Sequence, residues 1–282
     1  MDSAGAAQRD ATGATLTVTG LTVRYPGAEA PVLHDLSFSL ARGARLAVVG
    51  GSGTGKSTLA LALLGLLPDG AEVSGTVELE GTVLSDLSRS QLARRRGAEL
   101  SLVYQNPQAA LDPRRRLGRQ LVSLLRVHRR ESGRQLREEC ARLLGTVGFQ
   151  DPGTALGKYP HELSGGMLQR AMIAVAVASR PRVLLADEPT TALDVTNQEA
   201  VLRVLEHETA VSGSALMLIT HNLALVRNFC DEVIVLDRGR IVDSGATRAV
   251  LDAPSSPVTE RLIEAIPVLP GSPSDSEGEG AR

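Results

Sequence analysis

Residues 50–58 read GGSGTGKST, a G-x-x-x-x-G-K-[ST] spacing whose residue types suit a bound anion. Gly50, Gly51, Gly53 and Gly55, with Ser52 and Thr54 between them, let the backbone bend so that successive N–H groups point inward with no Cβ in the way. Lys56 adds a full charge for the β and γ phosphates of a nucleotide. The Ser57 hydroxyl, followed by Thr58, is placed to ligate Mg²⁺. A second set of chemical groups ends the apolar run 183–186, where Asp187 and Glu188 stand side by side. In a parallel sheet such strand ends open on the ligand crevice. There Asp187 can hold Mg²⁺, directly or through water, and Glu188 can accept a proton from an attacking water. A surface pair of acids is the competing reading, but a buried strand rarely ends in two adjacent carboxylates unless something positive sits opposite. Ser164, Gly165 and Gly166 repeat the first logic, a hydroxyl and glycines at a helix start ready for an anion.

These groups need a scaffold, and the composition allows one. The chain has 282 residues, 43% of them hydrophobic, enough for one large α/β domain or two unequal lobes. A formal net charge of -2 gives no global positive field, so nucleic acid is not an expected partner. The runs Arg94-Arg95-Arg96, Arg114-Arg115-Arg116 and Arg129-Arg130 sit among leucines and acids and read as solvated faces or loops. Cys140 and Cys230 lie in apolar-periodic segments without metal or redox spacing, as buried thiols of a reducing compartment would. No apolar stretch approaches the roughly 18 residues that would span a bilayer, and the start of the chain has no apolar signal region. A cytosolic protein is expected, attached to a membrane only through partners.

Along the chain, residues 1–14 read as a disordered lead-in. Alternating residues over 16–23 and 32–40 predict antiparallel strands joined by a turn, and 77–83 predict a hairpin with Gly81 near its turn. The apolar run 46–49 feeds the phosphate loop as a strand, and the leucines between 59 and 67 predict the helix after it. Residues 87–96 read as a short polar helix and 100–104 as a buried strand delivering Gln105. From about 108 to 180 the chain turns arginine-rich and leucine-periodic, predicting a helical lobe with helices near 117–127, 135–147 and 172–178. Strands over 183–186, 216–219 and 233–236 alternate with helices over 198–209 and 223–230, the pattern of a largely parallel sheet covered on both faces. A strand over 241–244 and helices over 247–251 and 257–266 follow. The stretch 267–282 is too rich in Pro, Gly, Ser, Asp and Glu to bury a core and reads as a disordered tail.

Taken in order, residues 50–57, Gln105, LSGGM at 163–167, LLADEP at 184–189, Ala192-Leu193-Asp194 and His221 resemble the nucleotide-binding subunits of ABC transporters. The resemblance spans about residues 15–266. It implies an α/β P-loop NTPase fold with a RecA-like core, an antiparallel β subdomain and a helical subdomain, with ATP and Mg²⁺ as cofactors. Tyr25 resembles the aromatic that stacks on adenine, although a tyrosine after a strand also suits the rim of a core. Gln105 resembles the residue that touches Mg²⁺ or the attacking water and links the site to the membrane partner; a polar residue opening a loop is the plainer alternative. His221 resembles the switch histidine of the γ-phosphate, where a lone histidine at a strand end is otherwise a structural group. Ser164, Gly165 and Gly166 resemble the signature that binds the γ-phosphate held by the other subunit, and Asp194 the residue that crosses the interface between the two sites. The implied partners are a second ABC ATPase subunit, alike or related, two transmembrane permease subunits and an extracytoplasmic solute-binding protein, at the cytoplasmic face of the membrane.

Within that family, YPHELSGGMLQRAMIA and the segment 103–108 resemble importers of peptides, nickel and related small solutes. Met167 replaces the usual glutamine of the signature, and Ser256-Pro257-Val258 stands where peptide importers carry His-Pro-Tyr before a longer, cysteine-bearing extension. Nickel, a metal chelate or another small solute therefore stays open beside peptide. A soluble ABC ATPase acting on nucleic acid or ribosomes is the alternative. It fits less well, because the helices between Lys56 and Ser164 are short and only one set of motifs is present. A catalytically dead subunit is disfavoured by the intact Lys56, Gln105, Ser164, Asp187, Glu188 and His221.

Overall fold

The computed structural model describes residues 13–107, 111–190 and 195–265. The expected lead-in up to residue 12, the tail from 267, Gln108 and the Ala192-Leu193-Asp194 stretch lie outside the described residues.

The central sheet contains β3 (Arg45–Val49), β6 (Leu100–Val103), β7 (Val183–Asp187), β8 (Ala215–Ile219), β9 (Glu232–Asp237) and β10 (Arg240–Ala246), in the order β10-β9-β3-β8-β7-β6. All its pairings are parallel except that of β9 with β10, a hairpin turning at Arg238 and Gly239. Because side chains alternate across a strand, each strand serves two cores. Ala47 and Val49 join Leu184, Ala186, Leu216 and Leu218 under the helical lobe. Leu46 and Val48 join Val183, Leu185, Met217 and Ile219 on the opposite face. That second core is closed by α1 (Lys56–Leu63) and by an antiparallel sheet of β1 (Ala14–Arg24), β2 (Leu33–Ala41), β4 (Glu72–Leu79) and β5 (Thr82–Val83), ordered β2-β1-β4-β5.

Register decides what meets at the crevice. Val48 pairs with Ile219, Ile219 with Asp187, and Ala186 with Val103, so β3, β8, β7 and β6 end level with one another. The residues just past those ends are Gly50, His221, Glu188 and Gln105.

Beyond the polar helix α2 (Arg89–Arg95), the helical lobe comprises α3 (Leu117–His128), α4 (Gly133–Thr146), α5 (Pro152–Gly157) and α6 (Gly165–Val177). Leu117, Leu121 and Leu125 recur every four residues on α3, and Leu136, Cys140, Leu143 and Leu144 on α4, giving each helix one buried stripe. Ser132 opens α4 with a reciprocal capping box to Gln135. The helices α7 (Val195–Ser212), α8 (Leu223–Phe229), α9 (Thr247–Asp252) and α10 (Pro257–Glu264) follow among the described residues.

Two elements differ from the pattern in the sequence. Strand β4 starts at Glu72 instead of 77: its first residues are exposed and do not alternate, and pairing of Val73 with Val23 and Glu72 with Arg24 makes them a strand. The helix after the phosphate loop stops at Leu63, short of the leucine run, because Gly65 turns left-handed at φ 60°.

Candidate nucleotide site

The phosphate loop leaves the buried end of β3 and enters α1 directly. A Cβ on Gly50 would run into the carbonyl oxygen of Leu236, so only glycine lets the loop pass β9 here. Gly55, the residue before the helix, sits at φ 104°, a conformation that aims the first free N–H groups of α1 into the loop. Lys56 is only 8% exposed, and its Nζ donates to the carbonyl oxygens of Gly50 at 2.9 Å and Gly51 at 2.7 Å. The ammonium is thus folded over the mouth of its own loop. Burial holds its pKa below the ordinary lysine value, partly offset by the charges of Glu188 and Asp187. Thr54 donates from Oγ1 to the Gly51 carbonyl at 3.0 Å and stiffens the bend, while Ser52 and Gly53 form its exposed tip.

The carboxylates face this cation. Asp187 has its pKa raised, chiefly by burial, against a hydrogen bond from Ser57 that favours the carboxylate. A hydroxyl bonded to one half-buried carboxylate is a small oxygen donor set. That set suits Mg²⁺, a hard cation that takes its remaining ligands from phosphate and water. Among the described residues no cluster of three or more His, Cys, Asp or Glu could form a cage made of protein alone.

Glu188 is the most constrained group of the site. Its backbone is left-handed at φ 44°, strained for a residue with a Cβ, and its N–H donates to the Ile219 carbonyl at 2.9 Å. Its side chain is 18% exposed and held from two sides. Nε2 of Gln105 donates to Oε2 at 2.9 Å, and Nδ1 of His221 lies 3.2 Å from Oε1. Residues separated by 83 and 33 positions in sequence thus converge on one carboxylate.

Tyr25, half-buried at the end of β1, places its hydroxyl 3.1 Å from Oγ1 of Thr58 in the first turn of α1, which fixes the ring beside the loop. Ser164, Gly165 and Gly166 are placed apart from this cluster, at the start of α6. Ser164 is exposed and caps the helix, accepting from the Met167 N–H at 3.3 Å. Asp194, the remaining candidate, lies outside the described residues.

Two supports of that helix start escaped the sequence reading. Arg170 donates to the carbonyls of Gly166 at 3.3 Å and Gly148 at 3.0 Å, with its guanidinium over Phe149. Arg116 lies over the ring of Tyr159, which stacks on His161. Neither Arg170 nor Arg116, the latter part of an arginine run, gave a local sign of these contacts, because each partner is remote in sequence or is a backbone carbonyl.

Comparison with known proteins follows the same lines. The family model described as ABC transporter matches residues 33–191. The oligopeptide transport ATP-binding protein OppD of Haemophilus influenzae is 38% identical over 259 residues, covering 91% of this chain and 80% of its own. The dipeptide transport ATP-binding protein DppD of Escherichia coli is 38% identical over 257 residues, with 90% and 79% covered. Among solved structures, a dimeric post-hydrolysis state of the ATP-binding cassette MJ0796 bound to ADP and Pi has a TM-score of 0.73 at 25% identity. The similarity covers 83% of this chain and 99% of that one.

Proposed function

Since the chain belongs to the ABC transporter family, we propose that it is the ATP-hydrolysing subunit of a membrane importer. The observation that carries this reading is the convergence of Lys56, Asp187 and Glu188 at strand ends that stop in register, with Gln105 and His221 gripping Glu188.

ATP is the substrate. Its β and γ phosphates take the place of the Gly50 and Gly51 carbonyls as partners of Lys56, and the N–H groups of Gly51, Gly53, Gly55 and the first turn of α1 face them. Tyr25 offers its ring to the adenine, set by its bond to Thr58. Ser57 and Asp187, with Gln105, are the residues that would hold Mg²⁺, which when bound offsets the charge of the phosphate oxygens. Glu188 accepts the proton of the attacking water, Gln105 orients that water, and His221 reaches the γ-phosphate. Ser164, Gly165 and Gly166 present an exposed helix start to the γ-phosphate on a second ATPase subunit. The dimeric state of the ADP-bound cassette MJ0796 supports that arrangement.

Among the described residues no helix is long and apolar enough to cross a membrane. In this reading, attachment to the cytoplasmic face runs through two permease subunits, with an extracytoplasmic binding protein delivering the solute. The names of OppD and DppD favour a peptide as that solute. The test is Glu188→Gln in the full chain assembled with its permeases. ATP binding is retained and steady-state phosphate release falls about 10³-fold; release at the wild-type rate removes Glu188 as the base.

A further inference from the structure

The signature serine stands on a turn that a stack of side chains holds from outside. The residues before Ser164 form one tight turn. The Tyr159 N–H donates to Oε2 of Glu162 at 2.6 Å, the Glu162 N–H to the Tyr159 carbonyl at 3.0 Å and the Leu163 N–H to the Pro160 carbonyl at 3.1 Å. Tyr159 stacks on His161 with ring centroids 5.5 Å apart and planes 13° from parallel. The guanidinium carbon of Arg116 lies 5.5 Å from the centre of the Tyr159 ring. Arg116 is the residue before α3, and the first N–H of that helix, from Leu117, donates to the carbonyl of Lys158 at 2.9 Å. Backbone and side chains therefore join the start of α3 to the signature turn at neighbouring points.

We infer that Arg116, Tyr159 and His161 are positioning residues that set the orientation of Ser164 toward the neighbouring subunit's nucleotide. This rests on the reading of Ser164 as a phosphate ligand across the interface. The physical reason lies in the two ends of the brace. Arg116 and His161 are exposed side chains that spend rotational freedom on a half-buried ring, fixing a turn whose other end is Ser164. The contacts of the three run to one another and to the turn before Ser164, so the brace acts on the signature half.

The experiment compares Tyr159→Ala and Tyr159→Phe in the full chain assembled with its permeases, reading kcat for ATP and, separately, nucleotide affinity. Tyr159→Ala lowers kcat about ten-fold while affinity stays within two-fold, because a misplaced ligand costs rate before it costs binding. Tyr159→Phe keeps the ring and restores the wild-type rate. Should Tyr159→Ala fail to accumulate, Arg116→Gln and His161→Ala remove one contact each from exposed positions, and each lowers kcat without loss of affinity. A wild-type kcat in Tyr159→Ala, or a Tyr159→Phe as damaged as Tyr159→Ala, overturns the brace. Glu188→Gln run alongside separates the two claims: if it too turns over ATP normally, the hydrolytic reading has failed, whereas its inactivity beside a normal Tyr159→Ala sinks the brace alone.

Discussion

The two anion-ready helix starts of this chain share a chemistry and differ in completeness. At the start of α1, Lys56 is buried and already bonded to the carbonyls of Gly50 and Gly51, and Asp187 and Glu188 supply charges opposite it from the same chain. At the start of α6, Ser164 is exposed and bonds within its own first turn, with its supports, Arg170 and Tyr159, behind and beside it. Cation, acids and hydroxyl gather at the first; the second offers N–H groups and one hydroxyl to the outside. The difference teaches where each half finds its complement. The phosphate loop is finished by the ends of β7 and β8, whereas the signature, on the two-subunit proposal, is to be finished by another molecule.

Substitutions should therefore act differently on the two halves. Lys56→Ala removes the buried cation of the self-contained half, and nucleotide titration should show ATP binding weakened about 100-fold, since charge-assisted bonds to phosphate are lost from a desolvated site. Equal affinity in the variant would erase the contrast. Ser164→Ala should leave that titration unchanged and lower turnover of the assembled transporter by on the order of ten-fold, the loss of one hydrogen bond to a charged group worth about 1.5 kcal/mol. A matching loss of affinity in the free subunit would place Ser164 on its own chain's nucleotide.

Thiol chemistry sharpens the same contrast at smaller cost. Burial pushes the Cys140 thiol up to about 11 and the Cys230 thiol up to about 12, so neither native cysteine should alkylate at neutral pH. A Ser164→Cys variant should react readily, and ATP in the assembled transporter should protect it. Because both native thiols are raised in the folded state, their contribution to stability is full below the ordinary thiol pKa. It is lost as pH rises through about 11 and about 12, which a denaturation series above pH 9 would reveal. Stability that rose with pH in that range would contradict their burial.

Much of the core half was legible because its signals are local. The apolar runs of β3 and β7 end in polar groups at fixed offsets, and the spacing from Gly50 to Lys56 encodes a loop whose geometry its glycines dictate. What stayed hidden depends on distance. Nothing near Glu188 announces that Gln105 and His221 will share its carboxylate, nor that its backbone will be left-handed, since both follow from strands pairing in register. Arg116 read as part of a solvated run, and only the packing of α3 against the loop at Lys158 places it over Tyr159. The early start of β4 is likewise a product of pairing with β1, because Glu72 to Gly75 carry no strand pattern of their own.

The most direct measurement is a structure of the assembled transporter carrying Glu188→Gln and trapped with ATP. The two-subunit account predicts Ser164 Oγ within hydrogen-bond range, about 2.5–3.0 Å, of a γ-phosphate oxygen held by the phosphate loop of the neighbouring ATPase subunit. Ser164 facing solvent, with the triphosphate enclosed by its own chain alone, would contradict it.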